Sequence, residues 1–124
     1  TTTDIDFIEY CPECFEPLVI IETAYGLDNL DKVHTNPIHT IKKLASKALI
    51  PFYVVLYEGE SEGESECPLC HRPFARTRIT AFRKKLIYPR EGYWTDMSVD
   101  EYREWLLSFH IEHRKYCKAG GVKR

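Results

Sequence analysis

Cys11-Pro12-Glu13-Cys14 and Cys67-Pro68-Leu69-Cys70 each place two thiols two residues apart behind a proline. Two thiolates at that spacing grip one metal ion from a tight turn, and two such turns supply the four sulfurs of a tetrahedral zinc site. The expectation is one structural zinc shared by Cys11, Cys14, Cys67 and Cys70, closed to substrate and tying the start of the chain to its middle. His71 follows Cys70 directly and is the weaker candidate for replacing a sulfur. Cys117 is left over and reads as a packed thiol. His110, His113 and Cys117 stand at i, i+3 and i+7, a spacing that permits a second metal site. An amphipathic helix face with core and surface sides is the preferred reading of the three.

The second constellation is acidic. Asp6 lies near the start of the strand read over Asp4–Tyr10 (DIDFIEY), and Glu22 closes PLVIIE. If those segments pair as a hairpin with the first knuckle at its turn, both carboxylates fall at the end away from the zinc, and Asp4 shares the face of Asp6. Carboxylates converging at a sheet end can hold magnesium, which activates water and stabilises charge on a phosphate. On spacing alone the plainer reading comes first: acids that terminate strands and face water.

Net charge is only -2, yet unevenly spread. Residues 58–66 (EGESEGESE) carry five glutamates and no base, and read as a solvated acidic linker. Residues 67–90 carry seven arginines and lysines and no acid. Arg76, Arg78, Lys84 and Lys85 are the candidates for contacting nucleic-acid phosphates, with an ordinary exposed strand as the alternative. A length of 124 residues suits one domain, and an apolar fraction of 44% is ordinary for a globular protein. No apolar run reaches the length of a membrane span, and no basic-then-apolar leader is visible. Five cysteines in two close pairs plus one suit a reducing compartment, so the expectation is cytoplasmic, with no membrane partner.

The elements that must hold these groups follow from periodicity. DIDFIEY and PLVIIE form a hairpin around the first knuckle. Asn36 caps a helix with Pro37 at its first position, and Ile38, Ile41, Leu44, Ala45, Ala48 and Leu49 recur at helical spacing until Pro51. FYVVLY (52–57) is the strongest strand, and a strand–helix–strand order makes parallel pairing the default. One or two strands over 76–88 and a helix from the capping box Ser98-Val99-Asp100-Glu101 complete the chain. That helix directs Val99, Tyr102, Trp105, Leu106, Phe109, His113 and Tyr116 toward a core. The fold class is α/β: a small mixed sheet with a crossover helix, a zinc knuckle pair and a C-terminal helix. It is one domain over 1–124, with a βαβ core at 1–57, the linker at 58–66, the second knuckle and basic strands at 67–90 and the last helix at 98–117.

Asp6 in DIDFIEY, Glu22 closing PLVIIE, a helix and then FYVVLY resemble the core of the PD-(D/E)XK, restriction-endonuclease-like superfamily, in particular its phage-encoded variants. The resemblance covers residues 4–57. It implies that Asp6 and Glu22 ligate magnesium for phosphodiester hydrolysis on DNA, in the cytoplasm of a host cell if the chain is phage-encoded. A lysine two positions after the second acid usually assists the water, but position 24 is alanine. Lys42 or Lys43 from the following helix would have to serve, with Asp4 as accessory ligand. A rival, weaker likeness is the HNH nuclease motif, with Asp31, His34, Asn36 and His39 between two CxxC pairs. The expectation is therefore a zinc-stabilised, nuclease-like protein acting on DNA. The alternative is a catalytically inactive zinc module that binds nucleic acid or a host protein.

Overall fold

The structure of the protein, a computed structural model, describes residues 3–118. Five strands form one mixed sheet in the order β1 (Phe7–Tyr10), β2 (Pro17–Tyr25), β3 (Phe52–Glu66), β4 (Pro73–Tyr88) and β5 (Thr95–Met97). β1 and β2 are antiparallel, with the first cysteine knuckle at their turn. β2 and β3 run parallel, from Ile20 opposite Phe52 to Tyr25 opposite Tyr57. They are connected by a 3-10 segment (Leu30–His34) and helix α1 (Asn36–Ala48). This is the expected crossover, since parallel neighbours need a connection long enough to return the chain to the same end. β3–β4 and β4–β5 are antiparallel.

Alternation along the central strands builds two apolar layers. Ile20, Phe52, Val54, Leu56 and Ile87 face Val33, Ile38, Ile41 and Ala45 of the crossover. Val19, Ile21 and Val55 face the other way, toward Tyr102, Trp105, Leu106 and Phe109 of helix α2 (Val99–Arg114). Aromatic contacts fix that helix: Phe82 stacks on Tyr102 at 3.9 Å between centroids, and Tyr53 meets Trp105 edge-on at 4.7 Å. The expected capping box closes its first turn, Ser98 and Glu101 each accepting the other's backbone amide. The cap of α1 differs from expectation. Thr35 occupies that position and Asn36 is the first helical residue, with Leu49 in the left-handed region ending the helix ahead of Pro51.

The acidic stretch 58–66 is not a linker. It is the distal half of β3, paired from Glu58 opposite Ala81 to Glu66 opposite Pro73. The two arms extend past the end of β2 as a two-stranded ribbon. Its polar sequence needs no core because both faces meet water, and the opposed charges on its arms attract. Arg78 bridges Glu60 and Glu62 at 3.0 and 3.1 Å, and Arg76 donates to the Glu62 carbonyl at 2.8 Å. Composition suggested a solvated linker; cross-strand pairing with the basic arm overrides it. The glycines serve the ribbon's irregularities. A Cβ at Gly59 would lie 2.7 Å from Thr77 Cγ2 and 2.8 Å from the Arg78 carbonyl oxygen, and Gly63 has φ +92°. Both adjoin register shifts.

Candidate metal centre

The first knuckle sits where β1 turns into β2. The Cys11 amide donates to the Glu16 carbonyl at 2.9 Å and the Phe15 amide to the Cys11 carbonyl at 2.8 Å, with Phe15 at φ 64°. This tight loop aims both sulfurs toward the end of α2. The capping box fixes where that helix begins and its aromatic face fixes its rotation, so its last turn brings His113 over the knuckle. Just beyond the helix, the Tyr116 amide donates to the His113 carbonyl at 2.9 Å, and the next residue is Cys117.

The ligand atoms of Cys11, Cys14, His113 and Cys117 all lie within 4.8 Å of one another. Cys11 Sγ is 3.8 Å from Cys117 Sγ, and Cys14 Sγ is 3.3 Å from His113 Nε2. A tetrahedral zinc with sulfur at about 2.3 Å and nitrogen at about 2.0 Å has ligand–ligand edges of about 3.5–3.8 Å, so these separations suit one ion. Cys11 and Cys117 are buried; Cys14 and His113 are half-buried. The Glu16 backbone favours the Cys14 thiolate, but burial and the neighbouring thiols of Cys11 and Cys117 together push its pKa above the ordinary value. Three sulfurs and one imidazole complete a four-ligand shell, which makes such an ion structural.

The cysteine expectation is therefore half met. Cys11 and Cys14 join a group able to hold a metal, but Cys67 and Cys70 do not belong to it. They form the turn of the β3–β4 ribbon, between Glu66 and Pro73. β3 starts beside Ile20, near the first knuckle, and continues unbroken to Glu66. At about 3.3 Å per residue it carries the second knuckle on the order of 45 Å away. A flexible linker could have folded back; a paired strand cannot. His113 and Cys117 take the vacated places. The signal for them was present in the sequence as a histidine and a leftover cysteine four apart, beyond a helix that must pack on the sheet. His110 is not in the group, and its Nε2 lies 3.8 Å from Glu9.

Asp6 and Glu22 do meet at the opposite end of β1–β2. The Asp6 amide donates to Glu22 Oε1 at 2.7 Å, and Asp6 Oδ2 accepts from the Thr23 amide at 2.9 Å and its hydroxyl at 3.0 Å. β1 begins only at Phe7, so these side chains satisfy amides where the ladder stops. Glu22 is buried, and its pKa is raised: burial dominates, the Asp6 amide opposes it, and the charge of Asp6 adds to it. The lysine whose charge reaches Glu22 is Lys32, on the 3-10 segment, which sequence reasoning passed over. Lys42 instead lines a small pocket with His34, His39 and Glu91, and Lys43 is exposed on α1. Among the described residues, the cysteine–histidine cluster is the one group of three or more potential ligands. Neither a magnesium site with Asp4 nor an HNH-type cluster at Asp31, His34 and His39 is assembled.

The basic segment does not form one patch. Lys84 lies on the α2 face, 4.5 Å from the Trp105 ring centre, while Lys85 lies on the other face, 3.2 Å from Glu91 and over Trp94. Burial lowers the pKa of Lys84. Arg76 and Arg78 are engaged by the acidic arm of the ribbon. Between β1 and α2 runs an apolar groove of about 470 Å³, lined by Phe7, Ile8, Ile21, Phe82, Tyr102 and Leu106 among others. No helix among the described residues is long and apolar enough to cross a membrane.

The described residues thus form an α/β protein with a five-stranded mixed sheet, two α-helices and a cysteine–histidine cluster able to hold a metal such as zinc. No family model matches it, and neither a curated protein nor a solved structure does.

Proposed function

We propose that the chain is a zinc-stabilised binding module, keeping a nuclease-like arrangement of strands and helix without the hydrolytic chemistry, and that its partner is a protein. The observation that carries this reading is the use made of the two acids. Asp6 and Glu22 accept backbone amides that close the end of the β1–β2 ladder, and alanine stands where the assisting lysine would be. A zinc held by the four ligands of the cysteine–histidine cluster would have no open position for substrate. Protein is favoured over nucleic acid because, among the described residues, Arg78 and Lys85 are paired with glutamates, Arg76 is held by the Glu62 carbonyl and Lys84 lies on the opposite face from Lys85, so these four do not form one footprint for phosphates. Fluorescence anisotropy with labelled single- and double-stranded DNA tests this. Little binding is expected even at low salt. Tight binding that falls steeply with salt and weakens in Lys84→Ala/Lys85→Ala overturns it.

A second reading, magnesium-dependent phosphodiester hydrolysis, draws on the meeting of Asp6 and Glu22 and on the Lys32 charge that Glu22 feels. In it the two acids hold the ion and Lys32, not Lys42 or Lys43, steadies the attacking water. Incubation of the zinc-loaded protein with DNA and magnesium or manganese decides between the two. Cleavage abolished by both Asp6→Asn and Glu22→Gln, with folding intact, establishes the second and removes the first.

A further inference from the structure

The second knuckle is built like the first. The Cys67 amide donates to the Arg72 carbonyl at 3.0 Å, as Cys11 does to Glu16, and the His71 amide to the Cys67 carbonyl at 2.9 Å, as Phe15 does to Cys11. The residue after the second cysteine is left-handed in both, His71 at φ 60° and Phe15 at φ 64°. A loop with this backbone is ready to ligate a metal, yet it presents only two sulfurs. His71 Nδ1 is held by Glu66 at 2.8 Å. The chain has five cysteines, and the other three are gathered at the far end of the sheet.

We propose that Cys67 and Cys70 are half of a second zinc site, completed by the same two residues of a second copy of this chain. A tetrahedral ion with four equivalent sulfurs has two-fold axes through it, so one pair can complement an identical pair across such an axis. The ribbon holds the pair at its apex, clear of the sheet, where two copies can meet tip to tip. Leu69, between the two cysteines, is 90% exposed, and a second tip would cover it. The apex also carries both signs of charge, Glu66 on one arm and Arg72 on the other, so two copies related by a two-fold axis can set unlike charges against each other.

The test is a cobalt titration of the reduced full-length chain, followed by thiolate-to-metal absorption and by mass from sedimentation. The first ion per chain fills the cysteine–histidine cluster. A further half ion per chain, with the stronger visible bands of a four-sulfur site, is expected to double the mass. Cys67→Ser/Cys70→Ser is expected to bind one ion per chain and remain single. Three results overturn the inference: one ion per chain with no change of mass, a second full ion without association, or association that survives the double variant. The variant's retained single ion reports on the first cluster separately, so failure at the tip is distinguishable from failure there.

Discussion

Removing the ion from the cysteine–histidine cluster should loosen α2 from the sheet, and the size of the effect follows from which residues the ion joins. Cys14 and His113 are 99 positions apart, and Cys11 and Cys117 are 106 apart. An ion bridging them closes nearly the whole chain. A crosslink spanning about 100 residues removes about 4.7 kcal/mol of unfolded-chain entropy in the loop-closure picture. A ligand present at about 1,000 times its Kd gives a similar figure, about 4 kcal/mol. For a domain of this size, each kcal/mol corresponds to roughly 3–5 °C, so strong chelation or Cys117→Ser should lower Tm by roughly 15–20 °C. Differential scanning fluorimetry with and without a zinc chelator measures the shift. His113→Cys, which keeps four ligands in the group, should retain most of the chelator-sensitive Tm. Cys67→Ser/Cys70→Ser should leave the Tm of the single chain nearly unchanged, because that pair spans only its own turn. A chelator shift below about 3 °C would refute the clamp. An equal loss in the Cys67/Cys70 variant would return the site to the arrangement expected from the knuckle pair.

The raised pKa of Glu22 gives a pH test. Its neutral form is favoured by the fold, so its contribution is present below the ordinary value of 4.5 and is lost as pH rises through the raised one. The Tm of Glu22→Gln minus that of wild type should therefore grow more positive from pH 4 to pH 7, and an opposite slope refutes the burial account. Arg83 donates through Nε and Nη2 to Asp96 and through Nη1 to the Leu27 carbonyl, a fork that lysine cannot reproduce. Arg83→Lys should cost about 1 kcal/mol in urea unfolding, and no loss would mean the fork contributes nothing. At Gly59, where a methyl would meet Thr77 and the Arg78 carbonyl, alanine should cost about 1–3 kcal/mol. The change should speed hydrogen exchange over residues 58–66 while leaving the β2–β3 core protected; unchanged exchange in the ribbon would refute it.

What the sequence determined by itself was mostly local. PLVIIE and FYVVLY declared buried strands because β-branched and aromatic residues faced both ways, and the structure pairs them in parallel across α1. Ser98 and Glu101 announced the start of α2, a reciprocal bond over three residues. Tertiary pairing decided what composition had obscured. EGESEGESE carries no apolar pattern, and only the arginine-bearing arm opposite turns it into strand, which then carries Cys67 and Cys70 away from Cys11 and Cys14. The alternate sides of β4 likewise separate Lys84 from Lys85, neighbours in sequence with different surroundings in space. His113 and Cys117 come within reach of Cys11 and Cys14 because the aromatic face of α2 packs on the sheet. A spacing rule states which residues can share an ion; the rigid path of the strands between them determines which do.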